Sequence, residues 1–84
     1  MAADLAAIRG AAYFTVVRYV GREPGDPVIR GSIWDREEVP TLAAALERRA
    51  ELGADAQGRR PMIYAVTEDR MTVHISDEYL PHLA

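Results

Sequence analysis

The spacing of apolar and polar positions divides the chain into two strand hairpins joined by one amphipathic helix. Tyr13–Val20 reads Tyr-Phe-Thr-Val-Val-Arg-Tyr-Val, a run dense in β-branched and aromatic residues that predicts the first strand. Residues 21–27 hold two glycines and two prolines and predict a turn. Residues 28–35 then predict a second strand, since Pro27 is able to open a strand but not to sit at its centre. Pro40-Thr41 ends the extended segment, and Thr41 is a candidate helix N-cap. Leu42, Ala45, Leu46, Arg49 and Ala50 follow at helical spacing. Glu47 and Glu51, four apart and alike in charge, offer the outer face no ion pairing between them. Gly53 is the expected stop.

Residues 62–67 and 71–76 predict the second hairpin, with Glu68-Asp69 at its tip. An even-numbered loop there pairs Val66 with Met71, Tyr64 with Val73 and Met62 with Ile75, which puts these six on one apolar face. Ile63, Ala65, Thr67, Thr72 and His74 fall on the other. A bulge would break that register, and the tip has no glycine to set the turn. Two short end helices complete the pattern. Ala2–Arg9 carries Leu5 and Ile8 on one side and stops at Gly10, while Ser76-Asp77-Glu78 opens a last helix that Pro81 halts. The expected fold class is α+β, with element order (α)ββαββ(α). Its mainly antiparallel four-stranded sheet has the order 2-1-3-4, and the main helix packs on one face. Residues 1–84 form one domain.

Period-2 counting on the first hairpin separates two sets of side chains. Phe14, Val16, Val20, Ile29, Gly31 and Ile33 make an aliphatic set suited to the helix, with Arg18 the exception that reaches out at an edge. Tyr13, Thr15, Val17, Tyr19, Val28, Arg30, Ser32 and Trp34 make the other set, joined from the second hairpin by His74 and Ile63. A single apolar helix stripe covers one side of a sheet. The outer positions of a half-exposed sheet are normally polar, whereas these are aromatic and amphipathic, as at protein interfaces. In a competing arrangement the end helices fold over this face through Leu5, Ile8, Tyr79, Leu80 and Leu83.

Composition narrows the chemistry. With 84 residues, 49% apolar and 27% charged, the chain is a folded domain rather than a disordered one. A domain of this size buries only somewhat more than about 60% of its unfolded surface, which leaves a thin stability margin that a partner subunit would widen. Cysteine is absent, which removes disulfides, thiol catalysis and cysteine-bound zinc. Lysine and asparagine are absent too, against ten arginines, the pattern of a GC-rich bacterial genome. Arginine is therefore no sign of phosphate recognition here. The net charge is −3 and evenly spread, so neither half points to a polyanion. No stretch approaches the about 20 apolar residues of a membrane span, and no signal-peptide pattern opens the chain. The expected location is cytoplasmic, with no membrane partner.

No catalytic, cofactor or metal motif stands out. His74 and His82 lack metal spacing. The acids of Asp35-Arg36-Glu37-Glu38, read as straddling a strand end and a loop, and those of Glu68-Asp69 suit solvated positions better than a split acid–base pair. The glycine-bearing loops lack a phosphate-loop ending and lead into strands. The expectation is a small non-catalytic interaction module, homodimeric or bound to another protein, with Tyr13, Val17, Tyr19, Val28, Arg30 and Trp34 in the contact. The alternative is a single-stranded nucleic-acid module that stacks bases on the same rings, against which the acidic net charge counts. A ligand-binding or enzymatic domain without a motif is the third reading.

Overall fold

A computed structural model describes residues 2–20, 33–54 and 58–83. Helix α1 spans Ala2–Arg9, strand β1 Tyr13–Val20, strand β2 Ile33–Val39, helix α2 Leu42–Leu52, strand β3 Met62–Val66 and strand β4 Thr72–His74. A 3₁₀ turn over Asp77–Tyr79 leads into helix α3, Leu80–Leu83. All strand pairs are antiparallel and the sheet order is β2-β1-β3-β4. The α+β class, the strand order and the packing of α2 on the sheet all follow the sequence pattern.

The caps explain where α2 begins and ends. Thr41 is extended, and its hydroxyl accepts the Ala44 N–H at 3.1 Å, satisfying one of the donors a helix start leaves open. Gly53 takes φ 66° and donates its N–H to the Arg49 carbonyl at 3.0 Å, a left-handed stop that glycine adopts without steric cost. Ala45 is fully buried against the sheet, whereas Ala50, counted in the apolar stripe, is exposed. The charged side of α2 is also better paired than expected, because Arg48 bridges Glu51 at 3.1 Å and Glu37 of β2 at 2.8 Å.

Strand β2 reaches further along the chain than its composition suggests. It runs Ile33–Val39 and pairs Phe14 with Val39, Val16 with Glu37, Arg18 with Asp35 and Tyr19 with Trp34. The acidic run therefore belongs to a strand, not to a loop. Its charged residues have low strand propensity, but the neighbouring β1 ladder overrides that preference. Arg18 is exposed and bonds the opposing Asp35 at 3.0 Å; it reaches solvent as expected, but from an inner strand, one residue beyond the last that β3 pairs. Residues 28–32, assigned to this strand from the sequence, lie outside the described residues.

The second hairpin departs from its expected register by one residue. The Thr67 N–H donates to the Met71 carbonyl at 2.9 Å, so three residues, Glu68, Asp69 and Arg70, form the loop. Arg70 has φ 66°, the left-handed residue that a three-residue hairpin loop needs and that glycine usually supplies. The Thr67 hydroxyl donates to the Asp69 carboxylate and accepts the Met71 N–H at 3.1 Å, bracing the tip. The pairs are consequently Tyr64 with His74, Ala65 with Val73 and Val66 with Thr72. A one-residue change exchanges the faces of every side chain on a strand. Ile63 and Ala65 therefore lie in the core at 0% exposure, while Met62, Tyr64 and Val66 turn to the other side.

The core occupies one face. Ile8, Phe14, Val16, Ala45, Ile63, Ala65 and Ile75 are its buried centre, and Val39, Leu42, Leu46, Leu52, Val73, Tyr79, Leu80 and Leu83 pack around it. Both end helices contribute to this set, so α1, α2 and α3 all cover the same side of the sheet. Tyr79 donates its hydroxyl to Asp4 at 2.7 Å, and Arg9 donates to the His82 carbonyl at 2.7 Å, tying the two ends together. Pro81 does not stop the last helix. It sits in the first turn of α3, where a missing N–H costs nothing.

Candidate functional site

The opposite face of the sheet has no helix over it among the described residues. Directly opposed residues share a face, and the register therefore assigns to this side Tyr13, Thr15, Val17 and Tyr19 of β1, and Trp34, Arg36 and Glu38 of β2. It adds Met62, Tyr64 and Val66 of β3, with Thr72 and His74 of β4. Thr15, Val17 and Val66 are buried at 4%, 8% and 5% exposure although no helix lies over them. Taller neighbours shield them instead: Tyr13, Met62 and Tyr64 are half-buried around this floor. The result is an open depression of about 760 Å³ over β1 and β3, with Arg36 at one side and Glu68 and Arg70 at the hairpin tip.

The rim is held from within. Tyr64 directs its hydroxyl to the Met62 sulfur at 3.8 Å, and its ring stands 5.3 Å from that of His74, tilted at 49°. His74 itself is exposed. A smaller hollow of about 210 Å³ lies beside it, lined by Arg49, Arg60 and Asp77. There Asp77 bonds Arg49 at 3.3 Å and lies 3.7 Å from Arg60. The two guanidiniums share this one carboxylate, which ties α2 to the C-terminal turn. Among the described residues, no three histidines or acids gather in a way that could hold a metal ion.

Of the residues expected at the contact, Tyr13 and Val17 stand on the open face with described side chains. Tyr19 and Trp34 are opposed to each other in the ladder at the far end of that face, placed by backbone register alone. Val28 and Arg30 lie outside the described residues. His74 is on this face as expected, but Ile63 is not, being fully buried in the core. Sequence reasoning missed Met62, Tyr64 and Val66 because it set them under the helix. Thr67 followed by three polar residues was the available signal for an odd-numbered loop. No protein-family model, no curated protein and no solved structure matches the chain.

Proposed function

We propose that the chain is a small non-catalytic interaction module that self-associates through the open face of its sheet. One observation carries this reading: all three helices pack on one side, which leaves a buried floor of Thr15, Val17 and Val66 rimmed by aromatic rings on the other. Amphipathic rings around a buried centre are the composition of interaction hot spots. A domain this small gains stability from any partner that binds its folded form. The free edges are poor alternatives for pairing, because β2 carries Asp35, Arg36, Glu37 and Glu38 and β4 is three residues long.

Charge favours a protein partner over a nucleic-acid strand. A strand needs a positive track, and the arginines of the depression, Arg36 and Arg70, are accompanied by Glu38 and Glu68. Sedimentation and light scattering on the wild type and on Tyr13→Asp and Tyr64→Asp test the reading. Loss of an aromatic anchor at a hot spot costs about 2 kcal/mol or more, an about 30-fold weaker dimer. The expected result is a wild-type dimer, with both variants shifted to monomer and unchanged in circular dichroism. A wild-type monomer at high micromolar concentration refutes it.

A further inference from the structure

The ladder arranges the open face in rows running across the strands. One row reads Glu38, Thr15, Tyr64, His74 from β2 to β4, the next reads Arg36, Val17, Met62, and the row on the other side holds Tyr13, Val66 and Thr72. In each row the two central strands contribute one small and one large side chain: Thr15 with Tyr64, Val17 with Met62, Val66 with Tyr13. The small three are the buried floor, and the large three stand half-exposed beside them. Each row thus sets one hollow beside one bump across the β1–β3 seam.

We infer that this face seats a second copy of the chain about a two-fold axis lying in the interface, parallel to the strands and along the β1–β3 seam. This rests on the self-association proposed above and adds the arrangement. Such an axis exchanges the two central columns, so each β1 residue meets the β3 residue of its own row in the other copy. Thr15 receives the partner's Tyr64, Val17 the partner's Met62, and Val66 the partner's Tyr13. Every bump enters a hollow. At each edge Glu38 meets the partner's His74. Strands lie about 4.8 Å apart, so the edge strands sit about 7 Å from the seam. An aligned packing angle near 30° then offsets such an edge pair by about 4 Å in the plane, a distance a glutamate side chain spans.

An axis perpendicular to the strands also satisfies charge, by setting Glu38 against the partner's Arg36. It fails on size, because β1 then lies over β1 and β3 over β3. Thr15 would face Val17 across a gap while Tyr64 and Met62 collide, and mismatched heights forfeit the close contacts of a packed interface.

The cysteine-free sequence allows a direct test. Glu38→Cys, Arg36→Cys and His74→Cys alter three exposed positions, and each full-length variant is treated with a short bismaleimide alone and in pairwise mixtures. The expected result is a covalent dimer from the Glu38→Cys and His74→Cys mixture that neither variant forms alone and that Tyr64→Asp abolishes. Coupling of Glu38→Cys with Arg36→Cys, or of Glu38→Cys with itself, overturns this arrangement while leaving self-association standing. A monomeric wild type in light scattering overturns both.

Discussion

Met62 and Ile63 are consecutive on β3 and point to opposite faces, so their truncation measures which face is the core. Ile63 is fully buried among Val16, Ala45 and Ile75. Ile63→Ala removes three carbons, a transfer loss of about 2.4 kcal/mol at about 0.8 kcal/mol per methylene. The cavity left beneath α2 raises the total to about 3–4 kcal/mol. Met62 is half-buried and shares only the open face, so Met62→Ala costs the folded monomer about 1 kcal/mol. For an 84-residue chain each kcal/mol moves Tm by about 4–8 °C. The two variants should therefore differ by on the order of 10–20 °C. Urea unfolding followed by circular dichroism, at concentrations low enough that the midpoint no longer depends on protein, isolates the monomer. An unchanged m-value keeps the comparison to stability alone. Equal costs, or a larger cost for Met62→Ala, would refute the three-residue loop at Thr67–Met71 and return Met62, Tyr64 and Val66 to the helix side.

Three further substitutions probe the caps, the turn and the tied ends. Thr41→Ala removes the side-chain acceptor of the Ala44 N–H and should cost about 1 kcal/mol, whereas Thr41→Ser should cost much less; urea midpoints check both. Arg70 occupies a left-handed conformation, so Arg70→Gly should hold or raise stability and Arg70→Val should lower it by about 1–2 kcal/mol, again read by urea unfolding. The hydrogen bond that Tyr79 donates to Asp4, aided by burial and nearby negative charge, holds the phenol above its ordinary value of 10.0. Because the folded value is the higher one, this contribution is fully present below about pH 10 and fades as pH rises through the folded value. Tyr79→Phe should therefore flatten the alkaline fall of Tm, and an unchanged slope would count against the bond.

Elements with strong local signals were legible in the residues. β1 matches its aromatic and β-branched run, α2 matches its Thr41 and Gly53 caps, and the strand order follows from a helix joining two hairpins. The failures share a physical origin in tertiary pairing. Asp35, Arg36, Glu37 and Glu38 form a strand because β1 needs a partner ladder, with Arg48 and Arg18 answering two of the charges. No local preference of those residues announces it. The placement of the end helices was likewise undecidable from Leu5, Ile8 and Leu83 alone, since these apolar residues would suit either face. The Tyr79–Asp4 and Arg9–His82 contacts, 75 and 73 residues apart in sequence, unite the ends on the core side.

Arg70 decides how the open face is composed. Had the tip closed on two residues, Ile63 and Ala65 would have joined Tyr13 and Val17 on the uncovered side, and Met62, Tyr64 and Val66 would have been forced beneath α2. Ala45 sits at 0% exposure against a sheet lined there by Ile63 and Ala65, and a tyrosine at their level would overfill that contact. One extra loop residue in a left-handed conformation, costing on the order of 1 kcal/mol, avoids this. It sends Ile63 and Ala65 inward to meet the helix and Met62, Tyr64 and Val66 outward. The juxtaposition of Thr15 with Tyr64 and Val17 with Met62 across the seam comes from the β1–β3 register. Core packing and the relief of the open face therefore both depend on which side chains β3 turns inward. A variant that shortens the tip by deleting Asp69 should damage both together, lowering Tm and abolishing the dimer in the same protein.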